Sequence, residues 1–341
     1  MLGSPFGFEP YEWTDDTSMA VALAEALAST SPSPLPQVVT DEVLEKAFNR
    51  WHEWSLESKD VGAQTRSVLQ TAKRNARASD MEHIPMGIAM AASKSYHDRR
   101  RKGAGNGSLM RTAPLVLAFL RYPHPHPNAD EEEAALMRAA GNVSALTHWE
   151  RDAREACGIW CIAIRHAVLT GTLDIRRALK RPSLFSEEGN HDEGEGLERV
   201  ELWNLRLNVA ESSLPNHFRH NGWVVEALQG AWSAIYHSVP ASLFSDSSAA
   251  RSDPPTTATS LPHPFIQTLE TAIRGGNDTD TVAAIAGSLV GALYGSEVLP
   301  AEWRDKLHGW PGVGVVELEK LVLDIIRGYC NGEGDMASTM I

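Results

Sequence analysis

The spacing of apolar residues constrains this chain more than any other feature: it is helical in one segment after another, and alternating β-branched runs bounded by turn residues are scarce. From Asp41 onward, Val43, Leu44, Ala47, Phe48 and Trp51 line one face. After Trp149, the residues Ala153, Cys157, Trp160, Cys161, Ile164 and Val168 do the same, and a third stripe of Val224, Leu228, Ala231 and Ile235 follows the start signal Asn221-Gly222. Each stripe buries one side of a helix against its neighbours, so the spacing predicts an all-α fold with these residues in the core. No internal repeat of fixed period is present.

Two segments interrupt the pattern. Residues 183–200 are acidic and contain glycine, and residues 240–264 are rich in Ser, Thr and Pro, so both read as solvated, flexible insertions. The second would serve as a domain boundary, but the strongest helix of the chain follows it and is read as paired with the N-terminus, so 1–341 is expected to form a single domain. The run His124-Pro125-His126-Pro127-Asn128 reads as a surface turn, because no companion Cys or His accompanies the two histidines.

Charge and cysteine content narrow the class further. With 31 Lys and Arg against 44 Asp and Glu the net charge is −13, which excludes a passive, charge-driven nucleic-acid binder. Three irregularly spaced cysteines, Cys157, Cys161 and Cys330, do not make a disulfide framework and suit a reducing compartment. The first thirteen residues lack a basic and apolar leader pattern, and the longest apolar stretch, near 282–293, is short and broken by glycine, so no membrane association is expected. A cytoplasmic protein is the expectation, or a nucleocytoplasmic one in a eukaryote.

Two similar acidic motifs lie at opposite ends of the chain: Thr14-Asp15-Asp16-Thr17 and Asp278-Thr279-Asp280-Thr281. Each opens an Ala-rich helix, and after the second Gly287, Gly291 and Gly295 recur every four residues, which suits a central helix closely approached by a neighbour. One Asp or Thr per motif is explained as a helix cap. Clustered carboxylates are not, since they repel one another if they converge, and neither motif contains a Lys or Arg. A divalent cation on an all-oxygen ligand set, Mg²⁺ or Mn²⁺ rather than Zn²⁺, is the alternative. That the motifs meet in space is an expectation which periodicity does not establish.

Three further features stand out. Gly103-Ala104-Gly105-Asn106-Gly107-Ser108 has alternating glycines that can turn backbone N–H groups toward one anion, although a bare glycine-rich turn is the simpler reading. The basic run from Arg99 to Lys102 before it reads as a solvated face. Asp60 precedes a helix starting near Ala63, where a cap is the simpler reading, and His148 opens the helix that carries Cys157, where a structural role is.

Taken in order, WTDDTSMA, KDVG, GNGSLMR, ALTHW and GGNDTDTVAAIAGSLVGALYG resemble the ADP-ribosylglycohydrolase family, which includes the dinitrogenase reductase-activating glycohydrolases and the ADP-ribosyl-arginine and ADP-ribosyl-serine hydrolases. The resemblance runs from about Trp13 to about Trp310 and implies a compact orthogonal helical bundle with two Mg²⁺ or Mn²⁺ ions in a cleft. It implies that Thr14, Asp15, Asp16, Asp278, Asp280 and Thr281 hold the metals, and that Asp60, with Asp16, is catalytic. It places Gly105, Asn106, Gly107 and Ser108 in a loop around the diphosphate, His148 at a ligand contact, and Trp223 near the adenine or distal ribose. The activity implied is hydrolysis of the glycosidic bond between ADP-ribose and a modified side chain, arginine or serine, or a small acceptor. ADP-ribose and ADP-ribosylated proteins are then the partners.

One departure accompanies the match. Family members carry, upstream of TDDT, a segment of the form GDAxGxxxE whose glutamate binds metal or acts as acid/base, and the residues before Thr14 do not contain it. Glu9 and Glu12 are the acidic residues there, and neither has that context. Three readings stand: a shortened sequence, catalysis through Asp60 or Glu12, or a binding-only relative. The N-terminus is thus short for the family, and part of the bundle is expected to be left uncovered.

Overall fold

The structure is a computed structural model that describes residues 6–100, 103–120, 129–186, 193–245 and 263–330. Twelve α-helices account for most of them: α1 (Asp15–Ala28), α2 (Asp41–Glu57), α3 (Ala63–Ala78), α4 (Met86–Arg100), α5 (Ala129–Ala145), α6 (Arg151–Thr170), α7 (Glu193–Ser212), α8 (Val224–Ser238), α9 (Pro264–Ile273), α10 (Thr279–Tyr294), α11 (Ala301–Lys306) and α12 (Val315–Cys330). Among the described residues the only sheet is a hairpin of β1 (His308–Gly309) and β2 (Val313–Gly314). The all-α architecture read from the spacing is therefore the one formed.

The predicted stripes are core faces. Val43, Leu44, Ala47, Phe48 and Trp51 are buried in α2, as are Ala153, Cys157, Trp160, Cys161 and Ile164 in α6 and the whole α8 stripe. Val168 is the exception at 44% exposure, because α6 reaches the surface in its last turn. Five fully buried tryptophans, Trp51, Trp54, Trp160, Trp203 and Trp232, supply bulk to this interior, and side chains of that size bury enough apolar area to dominate a core.

Helix α10 touches α1, α6, α8 and α9, so the second acidic motif opens a central helix. A Cβ at Gly287 would lie 3.3 Å from a methyl of Leu269, and one at Gly291 would lie 3.9 Å from the Phe265 ring, so two glycines of the stripe admit α9. The third belongs to a different function: Gly295 ends the helix at φ +76°, a left-handed conformation open to glycine.

Of the two expected insertions, the ends are structured. Residues 193–200 form the first turns of α7, and Phe185 is buried in a short 3₁₀ turn. Phe244 packs edge-on to Trp232 and Tyr236. Residues 187–192 and 246–262 lie outside the described residues, as do the histidines at 124 and 126 and the basic residues 101 and 102. Arg99 and Arg100 are exposed at the end of α4, the solvated face expected of them. No helix among the described residues is long and apolar enough to cross a membrane.

Candidate active site

Capping accounts for neither acidic motif. Thr40 and Glu150 cap α2 and α6, accepting hydrogen bonds from Val43 N and Ala153 N, whereas Thr14 and Asp278 stand at the N-cap positions of α1 and α10 without such a bond. Thr14 Oγ1 instead donates to Asp16 Oδ2 at 2.8 Å. Asp60 is not a cap either, since α3 starts from Gly62 with no side-chain bond. These side chains are turned toward one another.

The electrostatics record the convergence. Burial, followed by the charges of Asp16, Asp60 and Asp280, pushes the Asp15 carboxyl up to about 8. Burial and the charges of Asp280 and Asp278 push Asp16 up to about 7, against the opposing hydroxyls of Thr14 and Thr281. Asp278 is raised by burial and by Asp280, and the Asn106 amide opposes the rise. Carboxylates from α1, from α10 and from the segment before α3 therefore share one field, although they are far apart in sequence. After burial, the main side-chain influences on the three shifted acids are carboxylates, hydroxyls and an amide, with no Lys or Arg among them.

The glycine loop lies beside this cluster. Gly105 pairs with Trp223 in an antiparallel bridge, Val224 N donates to Ala104 O at 2.9 Å, and Asn106 N donates to Gly222 O at 3.1 Å. The Asn106 N–H is thus taken up by the protein, and its side chain is the working part: Nδ2 donates to Asn221 O at 2.9 Å and to Asp278 Oδ2 at 2.7 Å. Ser108 is fully buried, and Ser144 Oγ donates to its hydroxyl at 2.9 Å, so in this structure its side chain packs in the core rather than on the loop surface.

The glycines have a steric reason to be glycines. His148 is buried under the loop, where a Cβ at Gly105 would come within 3.3 Å of its Nε2 and one at Gly107 within 3.2 Å of its Cε1. His148 stands in the turn that closes α5, its N–H bonded to Ser144 O at 2.7 Å, three residues before α6 rather than at its start. Burial first, and Arg111 second, hold its pKa well below the usual histidine range, so the ring is neutral at pH 7. Trp223 stays 39% exposed beside the loop, with the Arg206 guanidinium 5.9 Å from its ring centroid.

Several residues that the sequence did not single out complete the site. Asn221 Oδ1 accepts from Asp278 N at 3.1 Å and its Nδ2 donates to Gly276 O at 2.9 Å, which fixes the entry into α10. Asn277, at φ +62°, makes the turn just before it. Gln64 Nε2 donates to both Gly103 O and Thr147 O at 2.9 Å, joining the loop to the His148 turn. Local sequence carries no signal for such long-range struts.

One buried oxygen bears on a cation. Asp16 Oδ1 is buried without a hydrogen-bond partner among the described residues, and the groups around it are carboxylates and hydroxyls. A hard divalent cation satisfies such an oxygen and relieves the mutual repulsion, so the residues fit Mg²⁺ or Mn²⁺ in kind. Among the described residues no three Asp, Glu, His or Cys side chains are arranged so as to hold a metal ion as they stand.

The helical bundle thus sets an acidic cluster of carboxylates and hydroxyls at two helix N-termini beside a glycine loop and an exposed tryptophan. The chain belongs to the ADP-ribosylglycohydrolase family, whose profile matches residues 1–333. It is 23% identical over 312 residues to the ADP-ribosylarginine hydrolase Tri1 of Serratia proteamaculans (strain 568), which covers 89% of this chain and 66% of the relative. To the ADP-ribosylhydrolase ARH3 of Bos taurus it is 27% identical over 313 residues, or 89% of this chain and 76% of the relative. The match to the corresponding Tri1 of Pseudomonas putida (strain GB-1), 25% identical, spans 65% of that protein, so the chain accounts for under two thirds of the length of these two bacterial relatives. A chain solved in an ADP-ribosylglycohydrolase-related protein complex superposes with TM-score 0.58 at 24% identity, over 96% of this chain and 85% of that one, a likeness of fold.

Proposed function

We propose that the protein hydrolyses the glycosidic bond joining ADP-ribose to a modified side chain, arginine or serine, or to a small acceptor, with two Mg²⁺ or Mn²⁺ ions as cofactors. The observation that carries this reading is the meeting of the two acidic motifs beside the glycine loop, through the Asn106–Asp278 hydrogen bond and the shared field of Asp15, Asp16, Asp60, Asp278 and Asp280. The family and the names of its relatives supply the bond type.

In this reading Thr14, Asp15, Asp16, Asp278, Asp280 and Thr281 hold the metals. Bound there, such ions supply anchoring of ribose hydroxyls and a lowered pKa for water. The chain's own residues do the rest. Gly105 and Gly107 let the loop lie close over His148, which stands beneath as a neutral ring, and a diphosphate is placed on that loop. Trp223 offers an exposed face for a base or ribose. Asp60, half-buried and within the field of Asp15, stabilises oxocarbenium charge or accepts a proton from attacking water.

A second reading, an ADP-ribose-binding protein without turnover, is favoured by the state of Glu12. Lys59 Nζ lies 2.6 Å from Glu12 Oε2, and the Glu12 pKa is lowered, so this residue is ion-paired and ionised rather than poised as an acid. The deciding experiment is ADP-ribose release from mono-ADP-ribosylated arginine and serine peptides, with Mg²⁺ or Mn²⁺ and with chelator. Metal-dependent release from one peptide supports the hydrolase and names the linkage. Tight ADP-ribose binding with no release supports the second reading.

A further inference from the structure

Arg111 is fully buried, and no carboxylate hydrogen bonds to it among the described residues. Its guanidinium lies 3.7 Å from the Trp51 ring centroid, Nη1 faces Met19 Sδ at 3.6 Å, and Nη2 donates to Thr147 Oγ1 at 2.7 Å. The same hydroxyl lies 2.8 Å from His148 Nδ1. A buried cation whose most polar contact is one threonine hydroxyl is costly to keep unless that contact matters.

The donor inventory decides the direction of this chain of bonds. A guanidinium only donates, so Thr147 Oγ1 accepts from Arg111. Thr147 is itself fully buried, and among the described residues its single O–H has one acceptor in reach, His148 Nδ1. Were Nδ1 protonated, that O–H would face another donor and remain unsatisfied in the interior. Nδ1 is therefore the acceptor, and the ring proton is on Nε2. That nitrogen faces the backbone of Gly105 and Gly107, and Gln64 holds the loop at this spacing through Gly103 O and Thr147 O.

We propose that Arg111 and Thr147 are positioning residues that fix His148 as its Nε2–H tautomer, so that the ring presents a single hydrogen-bond donor to an anionic ligand held in the Gly103–Ser108 loop. The ligand part of this proposal rests on the ADP-ribose reading, whereas the tautomer does not. The arrangement selects for acceptor oxygens of the diphosphate class over donor groups.

The test is two-bond ¹H–¹⁵N correlation of the histidine side chains at pH 7.5, with ADP-ribose calorimetry on the same samples, for the parent, Thr147→Val and Thr147→Ser. The parent is expected to show a pyridine-type Nδ1 and a pyrrole-type Nε2 for His148, assigned by loss of the signal in His148→Gln. Thr147→Val should give a mixed or reversed tautomer with affinity lowered about tenfold, and Thr147→Ser should restore both. A protonated Nδ1 in the parent overturns the proposal even if Thr147→Val does not fold. So does an unchanged tautomer in a folded Thr147→Val. Failure of the parent to bind ADP-ribose, with the expected tautomer present, overturns the function proposed above and with it the ligand part of this one.

Discussion

The side-chain amide of Asn106 donates to Asp278 Oδ2 at 2.7 Å, which places the glycine loop against the acidic start of α10 across 172 residues of chain. The second bond of the same amide, to Asn221 O at 2.9 Å, adds the segment that precedes α8. Three separate stretches are thus registered by one neutral group, and that group favours the ionised form of Asp278. Asn106→Ala is expected to cost about 1–3 kcal/mol of stability, since both acceptors lose a partner, and to weaken ADP-ribose binding roughly tenfold in Mg²⁺. Urea unfolding and calorimetry on the purified variant measure the two effects. Unchanged affinity would show that the loop keeps its place without this strut.

Asp16 gives a pH prediction of definite sign. Its carboxyl is raised from 3.8 to about 7 in the fold, mainly by burial and next by Asp280. An acid whose folded pKa is raised binds more protons folded than unfolded, so in chelator the protein loses stability as pH rises from about 4 to about 7. Asp16→Asn removes that loss and is expected to be the more stable protein at pH 8 in EDTA, by on the order of 2–4 kcal/mol, and the weaker binder of Mg²⁺. Thermal midpoints at pH 5 and pH 8, with and without metal, test both halves. A parent that is as stable in EDTA at pH 8 as its variant contradicts the buried, unrelieved charge.

The opposite sign applies to His148. Its pKa is depressed by burial and by Arg111, so the folded state prefers the neutral ring, and the associated stability is present above about pH 6.5 and is lost as pH falls below it. His148→Gln keeps a side chain that can donate toward the loop and has nothing to titrate. The parent is expected to lose more stability than His148→Gln between pH 7.5 and pH 5.5 in urea titrations. Parallel losses would mean that the ring is solvated and titrates freely.

How far the residues announced this arrangement differs between fold and site. Stripes such as Val43 to Trp51 and Val224 to Ile235 were legible because helical burial repeats every three to four residues, and a repeat is visible locally. Val168 was misread because the period does not say where a helix leaves the core. The acidic motifs were visible as an excess of carboxylates over what capping needs, and the family resemblance supplied the metal ions proposed for them. The struts were not visible: Asn221 reads as a helix start signal, Gln64 as an ordinary helical residue, and their partners lie 55 and 83 residues away. The fixed spacing of Gly105 and Gly107 suggested an anion cradle, whereas the contact that a side chain at each of them would crowd is the His148 ring.

The first acidic motif is itself held in place from the far end of the chain. Trp13 N donates to His308 O at 2.9 Å, His308 N donates to Tyr11 O at 3.1 Å, and Trp13 Nε1 donates to Trp310 O at 3.2 Å, so the hairpin of β1 and β2 clasps the residues just before Thr14. The Trp13 indole lies directly on Gly309, where a Cβ would come within 2.3 Å of Nε1. Gly309→Val must therefore displace a buried indole, an overpacking cost of about 1–3 kcal/mol, and the movement is transmitted to Thr14, Asp15 and Asp16 one to three residues on. Both the thermal midpoint and the Mg²⁺ affinity of Gly309→Val are expected to fall. Gly87→Ala in α4 is the control: a Cβ there meets nothing within 4 Å, so it should leave the metal affinity unchanged and the midpoint unchanged or raised. Loss of stability in Gly309→Val with full Mg²⁺ affinity would show that the hairpin supports the fold without positioning the motif.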